Sequence, residues 1–276
     1  MKLNLLGSGG VTPIPRPTCF CHVCREAREK GIPYERTTCS LFVYDNNMLF
    51  DAGEDSKLQL NRERIEKVEH LILTHRHPDH THGLRILENI NWDFEHKRPR
   101  HNPINVYISD FQKEMLTKMS CGGFLDYYTS KGIIQLHPLN HKEQIITGDT
   151  VITPYYIEKT KAFYFLIEKN QKRVIYAMCE YDELKIYEDI KDVDIYISHT
   201  LFWENPNVSP RKIPPIDEDT FEKMLGDAAQ VNAKKIILTH IEESFKLTHD
   251  ELIKNIKKYY PNENIVVGYD GMIIDL

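Results

Sequence analysis

Apolar residues 71–73 run straight into Thr74-His75-Arg76-His77-Pro78-Asp79-His80, so a strand-like segment delivers three histidines and a carboxylate within six positions. That run constrains the fold strongly. Imidazoles suit zinc, iron or manganese, a carboxylate adds hard-ion capacity, and both must sit on a rigidly held backbone. A strand-to-helix turn would point His75 and His77 one way and Asp79 and His80 another. Pro78 stiffens the turn, Gly83 permits tight packing behind it, and His82 reads as a helix-start residue. The phrase Ile-Leu-Thr-His at 72–75 returns at 237–240. Two buried strands each ending in a histidine call for a two-sheet sandwich with its site at one strand-end rim.

The rest of the chain alternates short β-rich runs with helical stretches. Strands are expected at 3–6, 40–44, 48–50, 104–108, 151–153, 163–168, 173–177, 193–198, 235–239 and 264–268. Hairpin turns fall at 45–47 and 169–172. Helices are expected over 23–30, 55–64, 82–90, twice within 109–131, and near 182–190, 217–231 and 248–260, the last amphipathic through Leu252, Ile253 and Ile256. Residues 206–215 read as a surface loop, and no low-complexity linker divides the chain. The expectation is one α/β domain over residues 1–276. Gly7-Ser8-Gly9-Gly10 lacks the lysine and Ser/Thr of a phosphate loop and would turn the chain near the rim. The pairs Tyr127-Tyr128 and Tyr155-Tyr156 read as core or surface rather than pocket lining.

Charge narrows the function. Thirty-five basic residues against 41 acidic ones give a net charge of −6, with no basic stripe, which argues against general nucleic-acid binding. No apolar stretch approaches the length of a membrane span. Six cysteines without a secretory signal point to a reducing, cytoplasmic compartment where thiols serve metals or packing. A small-molecule substrate is the expected partner, and a homodimer is left open.

The motif His-x-His-x-Asp-His after a strand resembles the signature of the metallo-β-lactamase fold, a four-layer αββα sandwich carrying one or two metals. Further segments are similar to the branch that holds the phosphonate-pathway cyclic phosphodiesterases and the quinone-biosynthesis B proteins. These are residues 6–10 followed by Cys19-Phe20-Cys21-His22-Val23-Cys24, then 49–53, 237–241 and 269–272. The resemblance implies that His75 and His77 belong to a first metal site and that Asp79, His80 and His240 belong to a second. Asp51 would orient a ligand imidazole, although its residue type alone also fits a plain turn aspartate.

Two positions break the family pattern. A third histidine should follow strand 151–154, but residues 155–161 contain none; Lys159 stands nearest, and His141 lies earlier. The bridging carboxylate should follow strand 173–177, where Cys179 stands in register with Glu180 and Asp182 just beyond. Cys179 could ligate a metal or be an inert buried thiol. His199, after strand 193–198, would reach the same rim as an acid or substrate binder, or be a polar loop histidine ahead of Phe202 and Trp203.

Cys19, Cys21 and Cys24 are spaced to give three thiolates to one tetrahedral ion, a closed structural zinc site. In the resembled family the fourth ligand is a histidine three residues after the late metal histidine. Here that position is Glu243, with Cys39 and His22 as other candidates; Cys121 carries no signal. The expected activity is a metal-dependent hydrolase acting on a phosphodiester or related ester through a hydroxide on Zn2+ or Mn2+. The alternatives are an Fe2+ oxidoreductase using Asp79, His80 and His240, or a non-catalytic ligand-binding relic.

Overall fold

The computed structural model describes residues 1–119, 122–178, 185–199 and 221–276. Strands β1 (Lys2–Gly7), β2 (Ser40–Val43), β3 (Met48–Phe50) and β4 (His70–Ile72) open the chain. A small ribbon, β5 (Trp92–Asp93) with β6 (Arg98–Pro99), precedes β7 (Ile104–Ile108) and β8 (Ile134–Pro138). The second half supplies β9 (Ile145–Thr147), β10 (Thr150–Ile157), β11 (Ala162–Lys169), β12 (Lys172–Ala177), β13 (Ile195–His199), β14 (Ile236–Thr239), β15 (Ile265–Val267) and β16 (Met272–Asp275). Two seven-stranded mixed sheets result, ordered β16-β1-β2-β3-β4-β7-β8 and β15-β14-β13-β12-β11-β10-β9.

Three apolar layers tie the sheets and helices together. Between the sheets, Phe50 meets Phe165 and Tyr176 edge to face, beside Ile72, Ile197 and Ile237. The outer face of the first sheet is covered by α2 (Ser56–Arg62), α4 (Ile86–Asn91), α5 (Asp110–Lys118) and α6 (Gly122–Ser130), through Leu60, Leu87, Leu116 and Leu125. Helices α1 (His22–Lys30), α7 (Phe221–Gln230) and α8 (His249–Tyr259) cover the second through Ala27, Met224 and Leu252. The short α3 (Pro78–Thr81) lies at the rim. The architecture is therefore an αββα sandwich, as the histidine-ending strands require.

Several local expectations need correction. Strand β10 runs four residues beyond Thr153, through Pro154 to Ile157. Pro154 is tolerated because β9 pairs only with residues 150–152, so the missing N–H lies beyond the end of that ladder. Strands β5, β6, β8, β9 and β16 are additional to the expected set. The described part of 182–190 contains no helix. His82 is an exposed residue closing α3, not one that opens a helix. Asn170 and Gln171 form a tight two-residue turn, both at positive φ, inside the expected 169–172 hairpin. Residues 206–215 lie outside the described residues.

Candidate metal centre

Strand β4 ends at the rim, and the following residues turn the ligand-type side chains inward. His75 and His80 are fully buried, Asp79 and His240 nearly so. The turn is locked from behind: Ala52 N donates to His80 O and Gly83 N to Ala52 O, both at 2.8 Å. A Cβ on Gly83 would collide with Gly53 O, so only glycine allows this approach.

Hydrogen bonds fix which ring nitrogen each histidine presents. His80 Nδ1 lies 2.7 Å from Asp51 Oδ2, so it donates there and offers Nε2 to the site. Thr74 spends its one hydroxyl proton on Asp51 Oδ2 at 2.8 Å. Its oxygen therefore accepts from His75 Nδ1 at 2.9 Å, which directs His75 Nε2 inward as well. Asp51 itself holds the left-handed conformation (φ 63°), as does His240 (φ 57°). Backbone strain of this kind is costly and is concentrated at functional sites.

The second half of the molecule contributes His240 from the end of β14. His80 Nε2, His240 Nε2 and Asp79 Oδ2 form a triangle with edges of 3.2, 3.3 and 3.4 Å. Donors about 2.0–2.1 Å from a tetrahedral ion stand about 3.3–3.4 Å apart, so the triangle matches one face of such a site. Asp79 Oδ1 is buried with no hydrogen-bond partner among the described residues. Burial alone would raise the Asp79 carboxyl, but the adjoining His240 and His80 rings hold it well below the usual carboxylate range. These residues fit a divalent cation. His75 continues the cluster, its ring 4.2 Å from His80, and half-buried His77 follows at 4.6 Å from His75. His199, at the end of β13, stacks on His240 with ring centroids 4.0 Å apart.

Other expected positions fall elsewhere. Lys159 is exposed in the turn between β10 and β11, because the strand continues past the place where a ligand loop was expected. His141 accepts a hydrogen bond from Tyr156 N at 3.0 Å and packs on Tyr155 and Tyr187, in none of the ligand clusters. Cys179, Glu180, Asp182, Phe202, Trp203 and Cys121 lie outside the described residues.

The cysteine loop forms a second cluster. Ligand atoms of Cys19, Cys21, Cys24 and Glu243 all lie within 4.8 Å of one another. Glu243 Oε1 is 3.5 Å from Cys19 Sγ and 3.3 Å from Cys21 Sγ. Burial would raise the Glu243 carboxyl, yet its bonds to Lys246 and Cys21 bring it below its ordinary value. Burial pushes the Cys24 thiol up to about 12, so metal capture there would release a firmly held proton. The other two candidates are placed away from the cluster. Cys39 is buried between the sheets against Thr239 and Met178, and His22 is exposed beside Glu251.

A sequence profile of the β-lactamase superfamily domain matches residues 46–241, from the β2–β3 turn to just past His240. The chain belongs to that superfamily. Among curated relatives, ribonuclease Z of Pyrobaculum islandicum is 23% identical over all of this chain and 99% of its own length. Octanoyltransferase of Porphyromonas gingivalis is 35% identical over 34% of this chain, which spans only 19% of that protein. Likewise, the chain spans about a third of ribonuclease Z from Thermococcus kodakarensis (33%), at 26% identity over 45% of this chain. A solved diphosphatase of the PhnP family superposes with a TM-score of 0.72 at 22% identity, covering 99% of this chain and 96% of that one. Zinc-bound PqqB from Methylobacterium extorquens gives 0.73 at 14% identity over the whole of both chains. The fold is the metallo-β-lactamase sandwich, which both of these structures share.

Two parts of this metallo-β-lactamase-fold site, Thr74 and Glu242, are not expected from the sequence, and Gly10 is expected there only as a turn near the rim. Thr74 positions both Asp51 and His75; its signal was the threonine before histidine in both halves of the echo. Gly10 lies against the His240 ring, where a Cβ would collide with Nδ1. Glu242 approaches the same nitrogen to 3.9 Å. Neither Gly10 nor Glu242 carries a pattern that spacing alone would reveal.

Proposed function

We propose that this chain is a divalent-metal-dependent hydrolase of phosphodiesters or related esters. The buried triangle of Asp79 Oδ2, His80 Nε2 and His240 Nε2 carries the proposal. Asp79, His80 and His240 would hold one ion, while His75 and His77 face the adjoining position. A bound divalent metal supplies Lewis-acid polarisation of the ester and a water of lowered pKa. Asp51 keeps His80 in the ligating tautomer, and His199 stands at the rim as the group to give a proton to the leaving oxygen. Ribonuclease Z relatives and the diphosphatase neighbour support phosphoester chemistry. The net charge of −6 favours a small diester over a long polyanion.

Protein loaded with zinc or manganese should hydrolyse bis-p-nitrophenyl phosphate, and Asp79→Ala should abolish this. A short RNA assayed in parallel tests the substrate class. Inactivity with every metal would overturn the proposal. One carboxylate and two imidazoles on one face also suit mononuclear iron, and oxygen consumption by the iron-loaded protein alone would favour that oxidoreductase reading. Protein that retains no metal at this cluster would favour a ligand-binding relic.

A further inference from the structure

Asp51 orients His80 through its Nδ1, and a second carboxylate, Glu242, lies toward the Nδ1 of His240. We infer that Glu242 is the positioning residue for His240, so that the Asp79–His80–His240 cluster is buttressed by a carboxylate on each imidazole. The inference rests on the proposed metal-holding role of His240. Glu242 Oε1 lies 3.9 Å from His240 Nδ1. The carboxylate is anchored by its other oxygen, which accepts from Thr12 Oγ1 at 3.0 Å and Ser244 Oγ at 3.2 Å. Those two hydroxyls direct Oε1 toward the ring.

The opposite wall is equally defined. A Cβ on Gly10 would stand 2.7 Å from Glu242 Cγ and collide with His240 Nδ1, so the glycine loop leaves room for that side chain and ring together. One face of the His240 ring is covered by His199, with centroids 4.0 Å apart, and the ring nitrogens bond along its edges. Nε2 faces Asp79 and His80, and Nδ1 faces Glu242. With a cation on Nε2 the Nδ1–H becomes a stronger donor, and a small side-chain movement closes 3.9 Å to a direct bond.

Cobalt titration of the full chain against a competing chelator tests this, because ligand-field bands of the His–Asp cluster are separable from thiolate charge-transfer bands of the cysteine cluster. Glu242→Gln should weaken cobalt binding at the His–Asp cluster about 10–100-fold and leave the thiolate bands unchanged. Glu242→Asp should recover part of the loss. Thr12→Val, which removes one of the two bonds to the anchored oxygen, should shift affinity in the same direction by less. Unchanged affinity in Glu242→Gln, or in Thr12→Val should the first variant not fold, would overturn the inference even if diester hydrolysis persists. Weakened binding without any hydrolysis would uphold it while removing the proposed reaction.

Discussion

Asp51 Oδ2 is shared by Thr74 Oγ1 and His80 Nδ1, at 2.8 and 2.7 Å, so one carboxylate oxygen fixes both the loop and the imidazole it presents. Asp51→Asn cannot accept both protons at that oxygen with its amide turned toward His80. Metal affinity at the His–Asp cluster should fall about 10–100-fold, measured by chelator competition. An affinity equal to wild type would remove Asp51 from the orienting role.

Gly83→Ala places a methyl group against the Gly53 carbonyl. Backbone must shift, because no flexible side chain can yield there. The variant should lose about 1–3 kcal/mol of stability, read from urea midpoints. It should also hold less metal at the histidine cluster. The same substitution at exposed Gly226, which has open space around its Cα, serves as the control.

The two clusters should be separable by metal analysis. Cys21→Ser should remove the ion of the cysteine loop and lower the melting temperature, since that ion would knot the loop to Glu243. Asp79→Ala should remove metal from the histidine cluster while leaving the thiolate signal intact. Loss of both metals in Asp79→Ala, with the fold retained, would contradict independent ligand sets.

Stability should also depend on His249. Its ring is buried and accepts from Arg36 Nη2 at 2.8 Å, so burial first and the guanidinium second push its pKa down to about 4. The unfolded chain, with an imidazole near pKa 6.5, binds the proton first. The contribution of neutral His249 is therefore complete above about pH 6.5 and is lost as pH falls toward about 4, by no more than about 3 kcal/mol. His249→Gln should flatten that window in urea titrations. An unchanged slope would assign the acid sensitivity to other groups.

Much of this was legible because buried strands are short, apolar and β-branched, and because ligand residues cluster after them. The length of the strand after Asp149 is not legible locally, since Pro154 ordinarily ends a ladder and only its place beyond β9 makes it harmless. Strands β8 and β16 depend on partners far along the chain, with Ile104 facing Ile134 and Leu3 facing Ile274, which local pattern does not record. Similarly, the motif at 75–80 names its ligands. Their convergence with Asp51 and His240 is a product of the sandwich that joins the two halves. Glu243 is readable as a substitution in the ligand spacing of the resembled family, but its meeting with Cys19 and Cys21 is a product of the fold.

His240 and Glu243 are separated by two residues, yet each belongs to a different ligand cluster. A four-residue arc thus runs from the rim to the cysteine loop, pinned by Ile241 N on Ser8 O and Glu243 N on Thr12 O. Each set keeps its own ligands, and only the short backbone between them is common to both. Loss of an ion from the cysteine loop would therefore loosen the backbone beneath His240 without removing a ligand from the histidine cluster.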